Sequence, residues 1–136
     1  MRRPVMVLAV AIIAVGIITG GLAWLLDTPS PRPSASRSER LYYAFCASSH
    51  GRDGRGSWRA ALFLVRPGDL TNAERLRNIS DAYRVDLIKQ GGAPIGRPGM
   101  PAFGSTLSDE DIRLLVQYVR TLSSRQGSFS TQTSVN

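Results

Sequence analysis

The lone cysteine and the lone histidine of this 136-residue chain stand four positions apart, in Cys46-Ala47-Ser48-Ser49-His50. In a C-x-x-C-H pentapeptide, two cysteine sulfurs add across the vinyl groups of haem and the adjacent imidazole ligates its iron. Here the first cysteine and the histidine are in place, and Ser49 stands where the second cysteine would be. A serine hydroxyl is far less acidic than a thiol and supplies no thiolate, so it forms no thioether. The stretch predicts haem held by at most one covalent bond, through Cys46, with the neutral imidazole of His50 suited to iron.

Fifty residues further on comes Pro98-Gly99-Met100-Pro101-Ala102-Phe103. Met100 lies between a glycine and a proline, which places it in a rigid loop rather than on a helix. A thioether presented in this way is a soft axial ligand, and a Met/His pair raises the reduction potential of haem iron. A lone loop histidine is ordinarily solvated, a lone cysteine a small buried hydrophobe, and a loop methionine gap-filling core. The C-x-x-x-H spacing, the P-G-M-P loop and an amphipathic closing helix together favour the functional reading. One cysteine allows no internal disulfide, and one cysteine with one histidine builds no Cys/His zinc cage.

Three helices are predicted to position these groups. The first covers about Glu39 to Ala47, with Leu41, Tyr42 and Phe45 as its apolar stripe. The second runs from about Ser80 to Gln90 and ends at Gly91-Gly92. The third opens on Ser108-Asp109-Glu110-Asp111, a capping-box-like start with acids at the positive end of the helix dipole. Ile112, Leu115, Val116, Val119 and Leu122 then repeat at helical spacing. No stretch reads as a strand; Ala61 to Val65 is apolar but short and stops at Arg66-Pro67. The expected fold class is all-α. Glycine-rich stretches at 51–56 and 91–104 fit a small domain wrapped around a cofactor that staples it.

Ahead of this domain, Pro4 to Leu26 is apolar and contains no charge. About 20 helical residues cross a bilayer, so the run is long enough to span. It exceeds the usual apolar region of a cleavable signal peptide, and no convincing A-x-A site follows, which favours an uncleaved signal-anchor. Arg2 and Arg3 on one side and Arg32, Arg37 and Arg40 on the other leave the positive-inside rule close to a draw. Gly16 and Gly20 are spaced for close approach of another membrane helix, a spacing that also arises by chance. The expected organisation is an anchor over residues 1–26, a Pro/Ser-rich extended spacer over 27–37, a helical domain over 38–124, and a disordered polar tail over 125–136.

The formal charge is +7, carried by sixteen arginines and one lysine against ten acids. Within 38–124, twelve basic residues face nine acidic ones, and no dense basic stripe interleaves with aromatics. That pattern argues against a nucleic-acid partner and for a mildly basic, solvated surface that steers acidic partners.

From about Ser38 to Ser123 the chain resembles the class I, monohaem c-type cytochromes of bacterial membranes and periplasm. The matching residues are L-Y-Y-A-F-C-A-S-S-H-G-R-D-G-R-G at Leu41–Gly56, P-G-D-L at Pro67–Leu70, G-M-P-A-F at Gly99–Phe103 and L-S-D-E-D-I-R-L-L-V-Q-Y-V-R-T-L at Leu107–Leu122. The resemblance implies that the first and last helices of the domain cross, with Tyr42 against the face carrying Leu115 and Tyr118. It implies His50 as proximal and Met100 as distal iron ligand, and Pro67 as the carbonyl that orients the His50 ring. It also implies a domain outside the cytoplasmic membrane, since haem is attached there. Ser49 and, less seriously, Ser38 depart from the family pattern.

The expected function is a membrane-anchored, single-pass electron carrier of the bacterial inner membrane, its C-terminal domain in the periplasm, relaying single electrons between redox protein partners or the subunits of a respiratory membrane complex. The expected cofactor is haem c with a single thioether, and b-type or absent haem are its alternatives. With both axial positions filled the chain is not itself an enzyme; a peroxidase would need Met100 to leave the iron. The alternative function is a haem-free, cytochrome-like docking subunit of a respiratory or photosynthetic complex.

Overall fold

Ile112 and Leu115 are fully buried on the longest helix of the domain, and Tyr42 is fully buried on the helix packed against it. The computed structural model describes residues 2–62 and 66–132. Among these the architecture is all-helical, with no strand. The order is α1 (Arg2–Leu26), α2 (Arg37–Phe45), α3 (Ala47–His50), α4 (Trp58–Leu62), α5 (Ala73–Leu76), α6 (Asp81–Gln90), a 3-10 turn (Ala93–Ile95) and α7 (Asp109–Gln132).

Local chemistry sets the helix starts. The side-chain oxygens of Ser36, Asn72 and Ser80 accept from the backbone N–H groups of Glu39, Arg75 and Tyr83, satisfying donors that a helix start leaves orphaned. Ser108 accepts from the Asp111 N–H at 3.1 Å, opening α7 as its acid-rich first turn suggests. α2 and α7 form the main packing pair. The Tyr42 and Tyr118 rings lie 5.0 Å apart at 41°, and Leu107, Ile112, Leu115 and Leu122 complete the core with Ala47. The partners expected for Tyr42 are thus the observed ones. α6 adds Val85 and Ile88 to the same core.

Three expectations differ from what is observed, and a stretch to which the sequence assigned no element is partly helical. α2 begins earlier and ends at Phe45, because Ser36 caps it and the chain turns at Cys46 into a separate short helix. Part of the apolar stretch at 61–65 is helical, as the end of α4; residues 63–65 lie outside the described residues. The closing helix runs to Gln132, so residues 125–132 continue it where a disordered tail was expected. No proline stops it, and the Ser123 and Ser124 hydroxyls donate back to the Arg120 and Thr121 carbonyls. Residues 133–136 lie outside the described residues.

The second half of the segment at 27–37 is folded onto the domain. Ala35 is buried, its N–H donates to the Arg32 carbonyl at 3.0 Å, and its carbonyl accepts from Arg40. Arg32 pairs with the buried Glu39 at 3.2 Å. These contacts build the linker's second half into the domain. α1 stands apart from that core: its span of Arg3–Leu26 has mean hydropathy 2.7 and none of it is buried in the protein.

Candidate haem-binding site

α3 presents the three residues of the attachment motif within one turn of helix. Cys46 is its N-terminal flanking residue and Ser49 and His50 close it. The Gly56 N–H donates to the His50 carbonyl and the Ser57 N–H to the Ser49 carbonyl, both at 2.8 Å, so the glycine-rich loop at 51–56 folds back onto the helix end. Gly54 is required in that loop. It has φ +83° and is buried, and an added Cβ would lie 3.0 Å from Leu122 Cδ1 on α7 and 3.2 Å from Leu70.

The His50 ring is held from one side. Its Nδ1 lies 3.1 Å from a backbone carbonyl oxygen, which belongs to Gly68. The carbonyl expected here was that of Pro67, one residue earlier; the ten-residue stretch between Gly56 and Pro67 hides the register from sequence reading, and the Pro67 ring instead faces Gly56. A carbonyl can only accept, so Nδ1 carries the proton and Nε2 keeps its lone pair. Burial lowers the His50 pKa, opposed by the bond to Gly68, so the imidazole is neutral at physiological pH. Burial pushes the Cys46 thiol up to about 12, which keeps it protonated in this setting.

Met100 is half-buried in a loop tied to the end of α6. Its carbonyl accepts from the Gly92 N–H at 2.9 Å, and the Phe103 and Gly104 N–H groups donate to the Ile88 and Lys89 carbonyls at 3.0 and 3.1 Å. Gly91, at φ +74°, lets the strands of the loop meet: an added Cβ would sit 2.8 Å from the Met100 oxygen and the Ala102 nitrogen.

Two contacts bring the motif helix and the methionine loop together. Phe45, beside Cys46, meets Phe103 edge-on at 5.7 Å between centroids. Ser48, Ser49 and Ala60 share a cleft of about 340 Å³ with Gly99, the neighbour of Met100. The donor types fit haem iron: an imidazole with a free Nε2 lone pair, a thioether in a backbone-braced loop, and a thiol four residues before the histidine. Among the described residues no cluster of three or more His, Cys, Asp or Glu side chains is arranged for a bare metal ion.

Three residues that sequence reading did not single out join this region. Trp24, near the end of α1, stacks on Trp58 of α4 at 4.6 Å and 20°. Arg59 donates to the Trp24 carbonyl at 2.6 Å and to the Asp27 carbonyl, and it lines the same cleft. Tryptophans 34 positions apart, one in the anchor and one at the start of a five-residue helix, carry no pairing signal in sequence.

Residues 33–119 match the family described as cytochrome c oxidase, cbb3-type, subunit III. The chain is also 31% identical over 98 residues to the cbb3-type cytochrome c oxidase subunit FixP of Azorhizobium caulinodans, an alignment covering 72% of this chain. It covers 30% of that relative, so the similarity spans under a third of the relative's length.

Proposed function

The chain belongs to the cbb3-type cytochrome c oxidase subunit III family, and on that premise we propose that it is a monohaem c-type electron carrier within a membrane respiratory complex. The observation that carries this reading is the pairing of His50 Nδ1 with the Gly68 carbonyl at 3.1 Å, which leaves Nε2 as the metal-binding nitrogen. Met100 would supply a second ligand to the iron and Cys46 the single thioether; Ser49 would supply none. When bound, haem supplies a one-electron ferric/ferrous couple at a potential raised by Met/His ligation.

The chain's own residues set the conditions for that exchange. The Gly68 carbonyl fixes the ring and tautomer of His50 and raises its basicity as a ligand. Gly91 and the backbone bonds from Gly92, Phe103 and Gly104 hold the methionine loop, which would keep Met100 in place beside a bound haem. Phe45 and Phe103 provide an apolar wall that excludes water. Anchored by α1, the domain faces the periplasm and exchanges electrons with other subunits of the complex.

A haem stain with a pyridine haemochrome spectrum, before and after acid-acetone extraction of the membrane-purified chain, tests the reading. Haem that stays with the polypeptide and shows a spectrum between b and c types is the expected result. Haem that extracts refutes the thioether at Cys46. A chain that takes up no haem in the membrane refutes the carrier and leaves a docking subunit.

A further inference from the structure

Resting on the reading of α1 as a membrane span, we propose that α4 is a second membrane contact, with Trp58 and Leu62 seated in the lipid interface where α1 leaves the bilayer. Trp24 is two residues from the end of α1, the depth at which tryptophans favour the boundary between acyl chains and headgroups. The Trp58 ring stacks on Trp24 at 4.6 Å and 20°, so the two indoles share one depth. A ring that close to a boundary tryptophan cannot stand clear of the headgroup layer.

Arg59 fixes the arrangement. It donates to the carbonyls of Trp24 and Asp27, satisfying acceptors that the end of α1 leaves orphaned, and its guanidinium lies 5.4 Å from the Trp58 ring centroid. Among the described residues outside α1, the exposed large apolar side chains are Trp58, Leu62, Tyr83 and Ile95. Two of these four lie on the five-residue α4, one turn apart and thus on one face. Leu62 is 61% exposed, a cost in water that immersion in lipid removes.

Charge favours a lipid surface over an apolar protein patch. Arg52 and Arg66 flank α4 in sequence and are exposed, two cations suited to the phosphates of anionic headgroups, while Arg55 pairs with Asp53 at 3.9 Å. Docking in this way also fixes the orientation of the domain, because the cleft lined by Ser49 and Gly99 is bounded by Leu25, Leu26 and Pro29 at the exit of the span. The cleft between the motif helix and the methionine loop then sits at the membrane surface rather than out on a swinging tether.

The chain has two tryptophans, so Trp24→Phe leaves Trp58 as the sole indole and Trp58→Phe leaves Trp24. Each haem-loaded full-length variant is reconstituted into phosphatidylcholine/phosphatidylglycerol vesicles, plain or brominated on the acyl chains near the headgroup. Haem quenches both lipid samples alike, so the ratio of emissions is read. The expected result is a fractional loss of Trp58 emission that matches that of Trp24, with little further loss on adding aqueous acrylamide. Quenching of Trp24 alone, with Trp58 open to acrylamide, overturns the docking while the span stands. Trp58 shielded from both quenchers assigns the face to a protein and overturns it too. Trp24 insensitive to bromine removes the span itself, and the docking with it.

Discussion

The Tyr42 hydroxyl donates a hydrogen bond to the Gly51 carbonyl oxygen at 2.8 Å, joining the buried crossing of α2 and α7 to the residue that follows His50. Tyr42 is fully buried, and burial raises the pKa of its phenol, so the hydroxyl stays a donor across the physiological range. The core and the glycine-rich loop after His50 are therefore one mechanical unit: α7 positions the Tyr42 ring, and the ring's far end holds the loop.

Replacing Tyr42 by Phe keeps the ring packing against Tyr118 and deletes only that donor. The Gly51 carbonyl loses its partner, and the expected loss of stability is about 1–2 kcal/mol, read as a lowered urea midpoint with unchanged slope. Because the same bond steadies the loop after His50, the spectrum of the haem-loaded variant should also lose its His50-ligated form at a higher pH on acidification, with the haem still attached. An unchanged midpoint would mean that the bond exchanges freely with water.

Replacing Met100 by Ala removes the thioether and leaves the loop backbone intact, since that backbone is held by Gly92, Phe103 and Gly104 rather than by the side chain. In the haem-loaded variant the reduction potential should fall by on the order of 0.1 V, within the ~0.8 V range over which axial ligands act. Carbon monoxide binding to the reduced protein should appear at the same time. A potential that does not move would remove Met100 from the iron.

The helices that cross were legible because their signals are local. Ile112, Leu115, Val119 and Leu122 repeat at helical spacing, and Ser108 with its following acids marks the start of α7. The sequence picks out His50 and Met100 as candidates because each sits in an unusual local frame, an attachment pentapeptide and a Gly-Met-Pro turn. The carbonyl behind His50 was not legible: it depends on how a loop of irregular length returns, and Gly68 rather than Pro67 arrives at Nδ1. Nor could the Trp24–Trp58 stack or the folded linker be read, since both arise from contacts between segments with no shared periodicity. Ala35 looked like spacer because a small residue signals neither burial nor exposure.

Acid should loosen the junction between α2 and α7 before it unfolds the core. Arg37 of α2 pairs with Asp111 of α7 at 2.8 Å, and the hydrogen bonds from Arg37 and then Ser108 lower the Asp111 pKa below the ordinary carboxylate value. Asp109 is lowered in the same direction by its hydrogen bond with Lys89. A carboxylate whose pKa is depressed on folding contributes stability that is fully present above its unfolded pKa of about 4 and is lost as pH falls through the folded value. The thermal midpoint should therefore hold from neutrality to about pH 5 and decline below it. Asp111→Asn should shallow that decline, and added salt should weaken the wild-type advantage because Arg37 is exposed. A decline of equal steepness in the variant would place the acid sensitivity elsewhere.

Replacing Ser49 by Cys is the change that speaks most directly to what is unusual in this chain. Ser49 lies in the last turn of α3, one residue before His50 and on the same cleft as Gly99, and its backbone is fixed by the bond from Ser57 N–H at 2.8 Å. A cysteine there is nearly isosteric, so the helix should form unchanged while gaining the second sulfur that the pentapeptide lacks. The expected outcome is a haemochrome band moved from the intermediate position to that of haem with both vinyl groups saturated. Cys46→Ser in the wild-type background should instead release all haem into acid acetone, and Cys46→Ser with Ser49→Cys should retain it through the other vinyl group. If Ser49→Cys leaves the band in place, the vinyl group does not reach residue 49. The serine would then reflect how haem sits in this cleft, and restoring the motif would not restore the chemistry.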